Sequence, residues 1–179
     1  MGKRSGFERV EKDFYATIDP NAIVPTFIER IRGKTYAEPC YGDGDLEDML
    51  VEIAKCRWRS DIRETVLSSV QMDAMEIDET LTYDCDLIIT NPPYKKEVLL
   101  PMIDQFQHVK PTWLLLPADM THNKYFGPYI KRCQEIISVG RLYWQENKVR
   151  GKDNYCWYFF PKGGEEGSDI QCKFRGRDD

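Results

Sequence analysis

The chain is predicted to fold as a doubly wound α/β domain with a mostly parallel sheet, and three observations carry this prediction. Short apolar segments rich in β-branched residues alternate with segments whose apolar residues recur at helical spacing, which is typical of a parallel sheet covered on both faces. The last two predicted strands are consecutive and separated by a charged loop, which predicts an antiparallel hairpin at one edge. At 179 residues with 41% hydrophobic residues, the chain is long enough for one well-buried domain.

Seven strands and four helices are predicted along the chain. The strands are expected at residues 34–38, 56–60, 66–70, 87–89, 113–116, 135–144 and 155–160. The helices are expected around residues 24–31, 46–53, 99–106 and 123–134. Pro101 is expected in the first turn of the third helix, where its missing N–H costs little. Residues 163–179 carry Gly-Gly, Glu-Glu and alternating charge, so we predict one domain over residues 1–162 and a disordered tail.

Composition indicates a soluble cytoplasmic protein that binds no metal. The six cysteines form no Cys-x-x-Cys pair, and only two histidines are available to complete a metal site. The basic amino terminus is not followed by an apolar stretch, and no run of 18 apolar residues occurs. We therefore expect reduced thiols, no secretory signal and no membrane span.

The net charge of −5 counts against a simple nucleic-acid binder, because contacts to phosphates normally need a basic face. Any surface for nucleic acid must then be local. The best candidates are Lys148, Arg150 and Lys152 in the loop of residues 145–154, with Lys95 and Lys96 after a proline turn. Taken singly, each of these side chains is more often a solvated surface charge.

That proline turn is the most informative feature of the sequence. The apolar strand of residues 87–89 leads into Asn91-Pro92-Pro93-Tyr94. Two consecutive prolines stop the strand and hold the carbonyls of Asn91 and Pro92 outside any strand pairing. A group with two N–H donors, such as the exocyclic amine of a nucleobase, could be held by the Asn91 side-chain oxygen and the Pro92 carbonyl, with Tyr94 as a stacking surface. The alternative is an ordinary proline turn after a buried strand.

A glycine turn joins the first predicted strand to the following helix. In the segment Glu38-Pro39-Cys40-Tyr41-Gly42-Asp43-Gly44, the glycines allow the backbone to approach a ligand closely. Dinucleotide-binding turns have a third glycine, whereas position 47 is glutamate here. Asp43 and Asp45 would repel a diphosphate, so a cationic ligand is favoured.

Two aspartates follow the next predicted strands. Asp61 ends the second strand, about where doubly wound folds place a carboxylate for ribose hydroxyls, although a helix N-cap explains it equally well. Asp73 lies near the end of the third strand. Both would lie at the carboxyl edge of the sheet with the glycine and proline turns.

These motifs resemble those of S-adenosylmethionine-dependent methyltransferases that act on amino groups, in particular small phage-type DNA adenine-N6 methyltransferases. Asn-Pro-Pro-Tyr after an apolar strand is similar to their catalytic motif, and the glycine turn is similar to their cofactor loop. Phe14-Tyr15-Ala16-Thr17 resembles their Tyr-x-Thr-Pro segment, although the expected proline is displaced to Pro20. The resemblance covers residues 13–162 and implies the seven-stranded, Rossmann-like methyltransferase fold.

The resemblance also implies a cofactor, a mechanism and a set of site residues. The cofactor would be S-adenosylmethionine, and the catalytic residues Asn91, Pro92, Pro93 and Tyr94 would act on the N6 amine of an adenine flipped out of a DNA duplex. Asp73 would accept a hydrogen bond from the cofactor's adenine amine. The implied cofactor-binding residues are Tyr15, Ala16, Thr17, Glu38, Pro39, Cys40, Gly42, Gly44, Asp61, Ile62, Asp73, Ala74 and Asn91.

Other functions stay open at this point. A glutamine-side-chain protein methyltransferase uses the same Asn-Pro-Pro-Tyr motif, because a carboxamide also presents two N–H donors. An RNA adenine or a DNA cytosine-N4 target, or a non-catalytic cofactor-binding subunit, would also fit the proline turn.

The order of the motifs resembles the class in which a target-recognition domain follows the catalytic domain, but we predict no separate recognition domain in these 179 residues. We expect DNA as the substrate and no membrane partner. A homodimer or a separate specificity partner would then select the target.

Overall fold

The computed structural model describes residues 16–64, 69–163 and 172–178. Four α-helices and eight strands occur in these residues. The α-helices are α1 (Pro25–Ile31), α2 (Asp45–Leu50), α3 (Lys96–Val109) and α4 (Gly127–Ile130). The strands are β1 (Thr35–Glu38), β2 (Lys55–Asp61), β3 (Val70–Gln71), β4 (Leu87–Thr90), β5 (Thr112–Pro117), β6 (Glu135–Tyr143), β7 (Arg150–Phe160) and β8 (Lys173–Arg175).

The strands form one mixed, mostly parallel sheet with the order β3-β2-β1-β4-β5-β7-β6-β8. The first five strands are parallel to one another, whereas β7 runs antiparallel to both β5 and β6. Strands β2 and β3 lie on one side of β1, and β5 and the later strands lie on the other side of β4. The adjacent strands β1 and β4 therefore define the topological switch point, where doubly wound folds bind their ligands.

Apolar side chains cover both faces of the sheet, as the alternation of strands and helices predicted. One face packs against α1 and α2 through residues such as Phe27 and Leu50, and the other packs against α3 through Leu99 and Phe106. All four residues of β4 are buried, because a strand in the middle of a doubly wound sheet has no solvent-exposed face. The predicted doubly wound α/β architecture is confirmed.

The predicted antiparallel hairpin is confirmed as β6 and β7, but β7 begins earlier than the sequence indicated. Residues 150–154 were expected in a loop, whereas they form the first half of β7, where Asn154 pairs with Arg141 and Arg150 with Tyr143. Because Pro117 at the end of β5 pairs with Tyr155, residues 150–154 extend beyond the carboxyl end of β5. Pairing with β6 overrides the low strand propensity of this polar segment.

An eighth strand lies in the segment predicted to be a disordered tail. Lys173–Arg175 pairs in parallel with the start of β6 and forms the outer edge of the sheet, beyond the hairpin. Glu135 at the start of β6 binds Arg30 of α1 and Arg175 of β8. The prediction of a tail without structure is therefore wrong for this strand, and the described residues form a sheet of eight strands instead of seven.

Two helix predictions also need correction. Pro101 is the sixth residue of α3, so it lies inside the helix and not in its first turn. The helix expected over residues 123–134 is a short 3-10 turn, Lys124–Phe126, followed by the four-residue α4. Within the three described ranges, no helix is long and apolar enough to cross a membrane.

Candidate active site

A cavity of about 410 Å³ lies at the carboxyl ends of β1 and β4, at the topological switch point. The glycine turn after β1 forms one side of it, and the start of the Asn-Pro-Pro-Tyr turn after β4 forms another. The segment after β2 and the first turns of α3 also contribute. The structure thus brings together segments that lie far apart in the sequence, from Ala16 to Met102, and the volume is that of a site for a small organic molecule.

The glycine turn is held in shape by Asp61, the last residue of β2. Gly42 and Gly44 have φ values of 61° and 93°, which are accessible to glycine at little cost. One carboxylate oxygen of Asp61 accepts a hydrogen bond from the backbone N–H of Gly42 at 2.8 Å, and the other accepts from the backbone N–H of Arg63 at 2.8 Å. The buried carboxylate of Asp61 therefore connects the glycine turn to the segment after β2.

Glu38 ends β1 and is buried at the wall of the cavity. Its Oε2 atom has no hydrogen-bond partner among the described residues. Burial, together with the negative charge of Glu47, raises the pKa of Glu38 well above its usual range. Arg59 opposes this shift, but both of its hydrogen bonds go to the carboxylate of Glu47. A buried carboxylate oxygen without a partner is costly, and a cationic ligand in the cavity would satisfy it.

Asn91 begins the turn after β4, and its side chain is held at both ends. Its Nδ2 donates a hydrogen bond to Thr17 Oγ1 at 3.1 Å, and its Oδ1 accepts one from the Tyr94 hydroxyl at 2.5 Å. Asn91 and Pro93 line the cavity, whereas Pro92 is buried and is not part of the lining. The turn after β4 therefore contributes Asn91 and Pro93 to the cavity wall.

Tyr94 lies beside the cavity lining and not within it. Its ring is half-buried and packs at 6.0 Å from the ring of Tyr155 on β7. Tyr155 in turn contacts Trp144 in an edge-on arrangement with ring centroids 4.8 Å apart. An aromatic group thus lies next to Asn91, between the cavity and the β6–β7 hairpin.

The predicted cofactor residues lie together around the cavity, with two exceptions. Those that line it are Ala16, Thr17, Glu38, Pro39, Cys40, Gly42, Asp61, Ile62, Asp73, Ala74 and Asn91. Gly44 does not line the cavity but caps the amino terminus of α2, and Tyr15 lies outside the described residues. Asp73 also accepts a hydrogen bond from the backbone N–H of Met75, so it caps a 3-10 turn as well as lining the cavity.

The sequence did not identify every residue of the lining. Tyr41, Asp43 and Asp45, in or directly after the glycine turn, also line the cavity, as does Lys95, which was predicted as a nucleic-acid contact. The lining residues that the sequence did not indicate are Leu46, Arg63, Val98 and Met102. Val98 and Met102 are separated by about one helical turn, so they lie on the same face of α3. Because a helix was predicted soon after the proline turn, the sequence could have indicated that one face of this helix lines the cavity. No spacing rule in the sequence indicates Arg63.

The predicted basic residues are exposed at the same edge of the sheet as the cavity. Lys95 and Lys96 follow the proline turn, and Lys148 lies at the tip of the hairpin. Arg150 and Lys152 lie on the part of β7 that extends past β5, two residues apart and therefore on one face of the strand. Exposed cations thus lie at this edge of the sheet, together with the exposed acidic residues Glu97, Glu146 and Asp153.

Cys40 is the cysteine that lines the cavity. Burial raises the pKa of its thiol to about 12, so the thiol stays protonated at neutral pH. Only a thiolate is an effective nucleophile. The chemistry of this site is therefore not expected to pass through a covalent bond to Cys40.

Comparison of the sequence with family models and with curated proteins finds no match. Solved structures do resemble the chain. A protein described as a class I S-adenosylmethionine-dependent methyltransferase from Listeria monocytogenes has a TM-score of 0.54 and 11% identity, over 83% of this chain and 60% of that one. A protein described as an RNA methyltransferase from Pyrococcus horikoshii has a TM-score of 0.54 and 14% identity, over 75% of this chain and 78% of that one.

A modification subunit described as part of a type I restriction enzyme from Vibrio vulnificus is similar with a TM-score of 0.52 and 12% identity, over 89% of this chain and 49% of that one. The chain thus spans about 60% of the length of the Listeria protein and about half of the Vibrio subunit. At these identities the likeness establishes the fold, which is that of class I S-adenosylmethionine-dependent methyltransferases.

Proposed function

We propose that this protein transfers a methyl group from S-adenosylmethionine to the N6 amine of an adenine in DNA. The observation that carries the proposal is the position of the Asn91 carboxamide, at the wall of a carboxylate-rich cavity and at the switch point of a methyltransferase-type sheet. The residues lining the cavity would hold the cofactor, and the Asn-Pro-Pro-Tyr turn would hold the target amine.

The cavity fits S-adenosylmethionine in size and charge. Its volume of about 410 Å³ is in the range of small-molecule sites. Five carboxylates line it against two cationic side chains; the carboxylates are those of Glu38, Asp43, Asp45, Asp61 and Asp73. The unpartnered oxygen of Glu38 would accept a hydrogen bond from the cofactor's ammonium group, and when bound, the cofactor would supply a methyl group activated by its sulfonium charge.

The protein's own residues would hold and polarise the target amine. The Asn91 side-chain oxygen and the Pro92 carbonyl would accept the two amine protons, which draws the nitrogen lone pair out of conjugation with the ring. A carbonyl oxygen accepts two hydrogen bonds, so the bond from Tyr94 to Asn91 Oδ1 is compatible with this role.

Tyr94 would stack on the adenine once it leaves the duplex. Flipping a base costs a few kcal/mol, and stacking on an aromatic ring recovers about 1 to 3 kcal/mol. The half-buried ring beside Tyr155 leaves part of Tyr94 accessible to a base.

The exposed cations beside the cavity favour nucleic acid over a protein glutamine as the substrate. Lys95, Lys148, Arg150 and Lys152 lie at the edge of the sheet that carries the cavity, where phosphates flanking a flipped base would pass. We propose them as phosphate contacts. In the type I restriction enzyme, the similar chain is a modification subunit, so a separate specificity partner is also proposed here.

Transfer of a tritiated methyl group to duplex DNA, RNA and a protein extract tests the substrate. We expect incorporation into DNA as N6-methyladenine. Incorporation into RNA or protein alone would redirect the proposal to those substrates, and no incorporation into any of them would contradict it.

The Asn91→Ala variant tests the role of the turn. Losing one preorganised polar group in a transition state costs about 10² in kcat, and we expect this loss while the affinity for cofactor changes by less than about 3-fold. Gln134→Ala, which removes an exposed side-chain carboxamide outside the cavity, is the control. Unchanged kcat for Asn91→Ala would exclude the proposed role of Asn91.

A further inference from the structure

The amino-terminal segment does more than cover the cavity, because Thr17 contacts the side chain of Asn91. Thr17 is 5% exposed, and its hydroxyl oxygen accepts the hydrogen bond from Asn91 Nδ2 at 3.1 Å. The two residues are 74 positions apart in the sequence. The resemblance to methyltransferases implied a different role for Thr17, namely contact with the cofactor.

The orientation of the Asn91 carboxamide decides what the turn offers to a substrate. Its two ends have nearly the same shape, but one is an acceptor and the other a double donor. With Oδ1 toward the substrate side, the group accepts an amine proton. After a rotation of 180°, N–H donors would face N–H donors, and the amine would be repelled.

The two hydroxyl groups at the ends of the carboxamide favour the same orientation. A phenol is more acidic than an aliphatic alcohol, so the Tyr94 hydroxyl is the better donor and the Thr17 hydroxyl the better acceptor. Tyr94 accordingly donates to Oδ1 and Thr17 accepts from Nδ2. Linked hydrogen bonds of this kind also strengthen one another.

The backbone that carries Thr17 is fixed to the sheet. Asp19 is buried, and its carboxylate accepts hydrogen bonds from the backbone N–H of Tyr143 on β6 at 3.1 Å and of Asn21 at 3.0 Å. The indole N–H of Trp157 on β7 donates to the carbonyl of Ala22 at 2.8 Å. The hydroxyl of Thr17 is thus presented to Asn91 from a segment tied to two strands.

We propose that Thr17 is a positioning residue, whose hydroxyl holds the Asn91 carboxamide with its oxygen directed to the target amine. This inference rests on the proposed function of Asn91. It assigns Thr17 to the methyl-acceptor side of the site, whereas the sequence motif assigned it to the cofactor side.

Two substitutions separate these roles. Thr17→Val keeps the shape of the side chain and removes the hydroxyl, whereas Thr17→Ser keeps the hydroxyl. We expect Thr17→Val to lower kcat about 10-fold while the dissociation constant for S-adenosylmethionine stays within about 2-fold, and Thr17→Ser to restore most of kcat. An increased dissociation constant with unchanged kcat would overturn the proposal in favour of cofactor contact.

A second measurement does not depend on methyl transfer. The side-chain NH₂ group of Asn91 gives two ¹H–¹⁵N signals, which the Asn91→Ala spectrum identifies by their loss. We expect slow exchange with water in the wild-type protein and in Thr17→Ser, and exchange faster by about 10-fold or more in Thr17→Val. Equal exchange rates in all three proteins would overturn the positioning role of Thr17. If the wild-type protein methylates no tested substrate, that result would count against the proposed function alone, and the exchange rates would still test the role of Thr17.

Discussion

Glu38 and Glu135 are both buried glutamates at strand ends, and they differ in almost every other respect. Glu38 is 2% exposed at the end of β1, and its Oε2 has no partner among the described residues. Glu135 is 8% exposed at the start of β6, and Arg30 and Arg175 donate hydrogen bonds to it. Burial raises the pKa of Glu38 well above its usual range, whereas at Glu135 the two guanidinium groups outweigh the effect of burial and lower the pKa.

The difference separates a carboxylate that serves the fold from one that serves a ligand. Glu135 joins α1, β6 and β8, and its charge is compensated within the protein. Glu38 lines the cavity, and its Oε2 atom has no hydrogen-bond partner among the described residues. A buried polar group without a partner is retained at a cost in stability, so we infer that Glu38 is maintained for the cation that the cavity is proposed to bind.

The largest expected effect is that of Glu38→Gln on cofactor affinity. The substitution keeps the shape of the side chain but removes its charge, and a hydrogen bond to a charged group contributes about 1.5 to 3 kcal/mol. We therefore expect the dissociation constant for S-adenosylmethionine to rise by about 10- to 100-fold in equilibrium dialysis with labelled cofactor.

Glu135→Gln is the matched control, because it makes the same chemical change at the other buried glutamate. We expect its dissociation constant to equal that of the wild-type protein at a temperature where both are folded. Equal effects of the two substitutions on cofactor binding would remove the distinction between the two glutamates.

The next largest effect is that of Glu135→Gln on stability. The substitution leaves two guanidinium groups without their carboxylate, and we expect a loss of about 2 kcal/mol in the free energy of unfolding. For a domain of this size, that loss lowers Tm by about 4 to 8 °C. Glu38→Gln should instead raise Tm slightly, since it removes a carboxyl group that burial makes costly to ionise. Calorimetric melting of both variants checks these opposite signs.

The smallest expected effect is the dependence of stability on pH, which also has opposite signs at the two glutamates. Glu135 has a lowered pKa in the folded state. Its stabilising contribution to the free energy of unfolding is therefore present above its ordinary pKa of 4.5 and is lost as the pH falls through the pKa of the folded state. Glu38 has a raised pKa, so it reduces stability progressively as the pH rises above 4.5 toward its folded value.

Urea unfolding between pH 4 and pH 8 measures both contributions, each expected to be on the order of 1 kcal/mol. The stability gained by Glu38→Gln should grow with rising pH, and the stability lost by Glu135→Gln should shrink with falling pH. If the difference in the free energy of unfolding between the wild-type protein and a variant does not change with pH, the corresponding carboxyl group has the same pKa in the folded and unfolded states.

The sequence predicted those parts of the molecule that depend on local chemistry. The strand before Asn91 was identifiable because an apolar run ends at two prolines, and the glycine turn was identifiable because it joins a strand pattern to a helix pattern. The rule that ligands bind at the carboxyl ends of parallel strands then predicted that these two turns lie together. Most of the cavity lining followed from that rule.

The remaining features depend on pairing between distant segments. Strand β8 was missed because it has only three residues, two of them cationic, and their pairing with β6 is not encoded in their own composition. The hydrogen bond between Thr17 and Asn91 spans 74 residues, so no spacing rule could indicate it. The missing partner of Glu38 Oε2 is visible only once the surrounding side chains are in place.

Isothermal titration of the wild-type protein and of Glu38→Gln with S-adenosylmethionine tests most directly whether the cavity at β1 and β4 binds the cofactor through Glu38. If the ammonium group of the cofactor lies against Glu38, one equivalent binds to the wild-type protein, and Glu38→Gln binds about 10- to 100-fold more weakly. No saturable binding by the wild-type protein, or equal dissociation constants for the two proteins, would contradict this proposal.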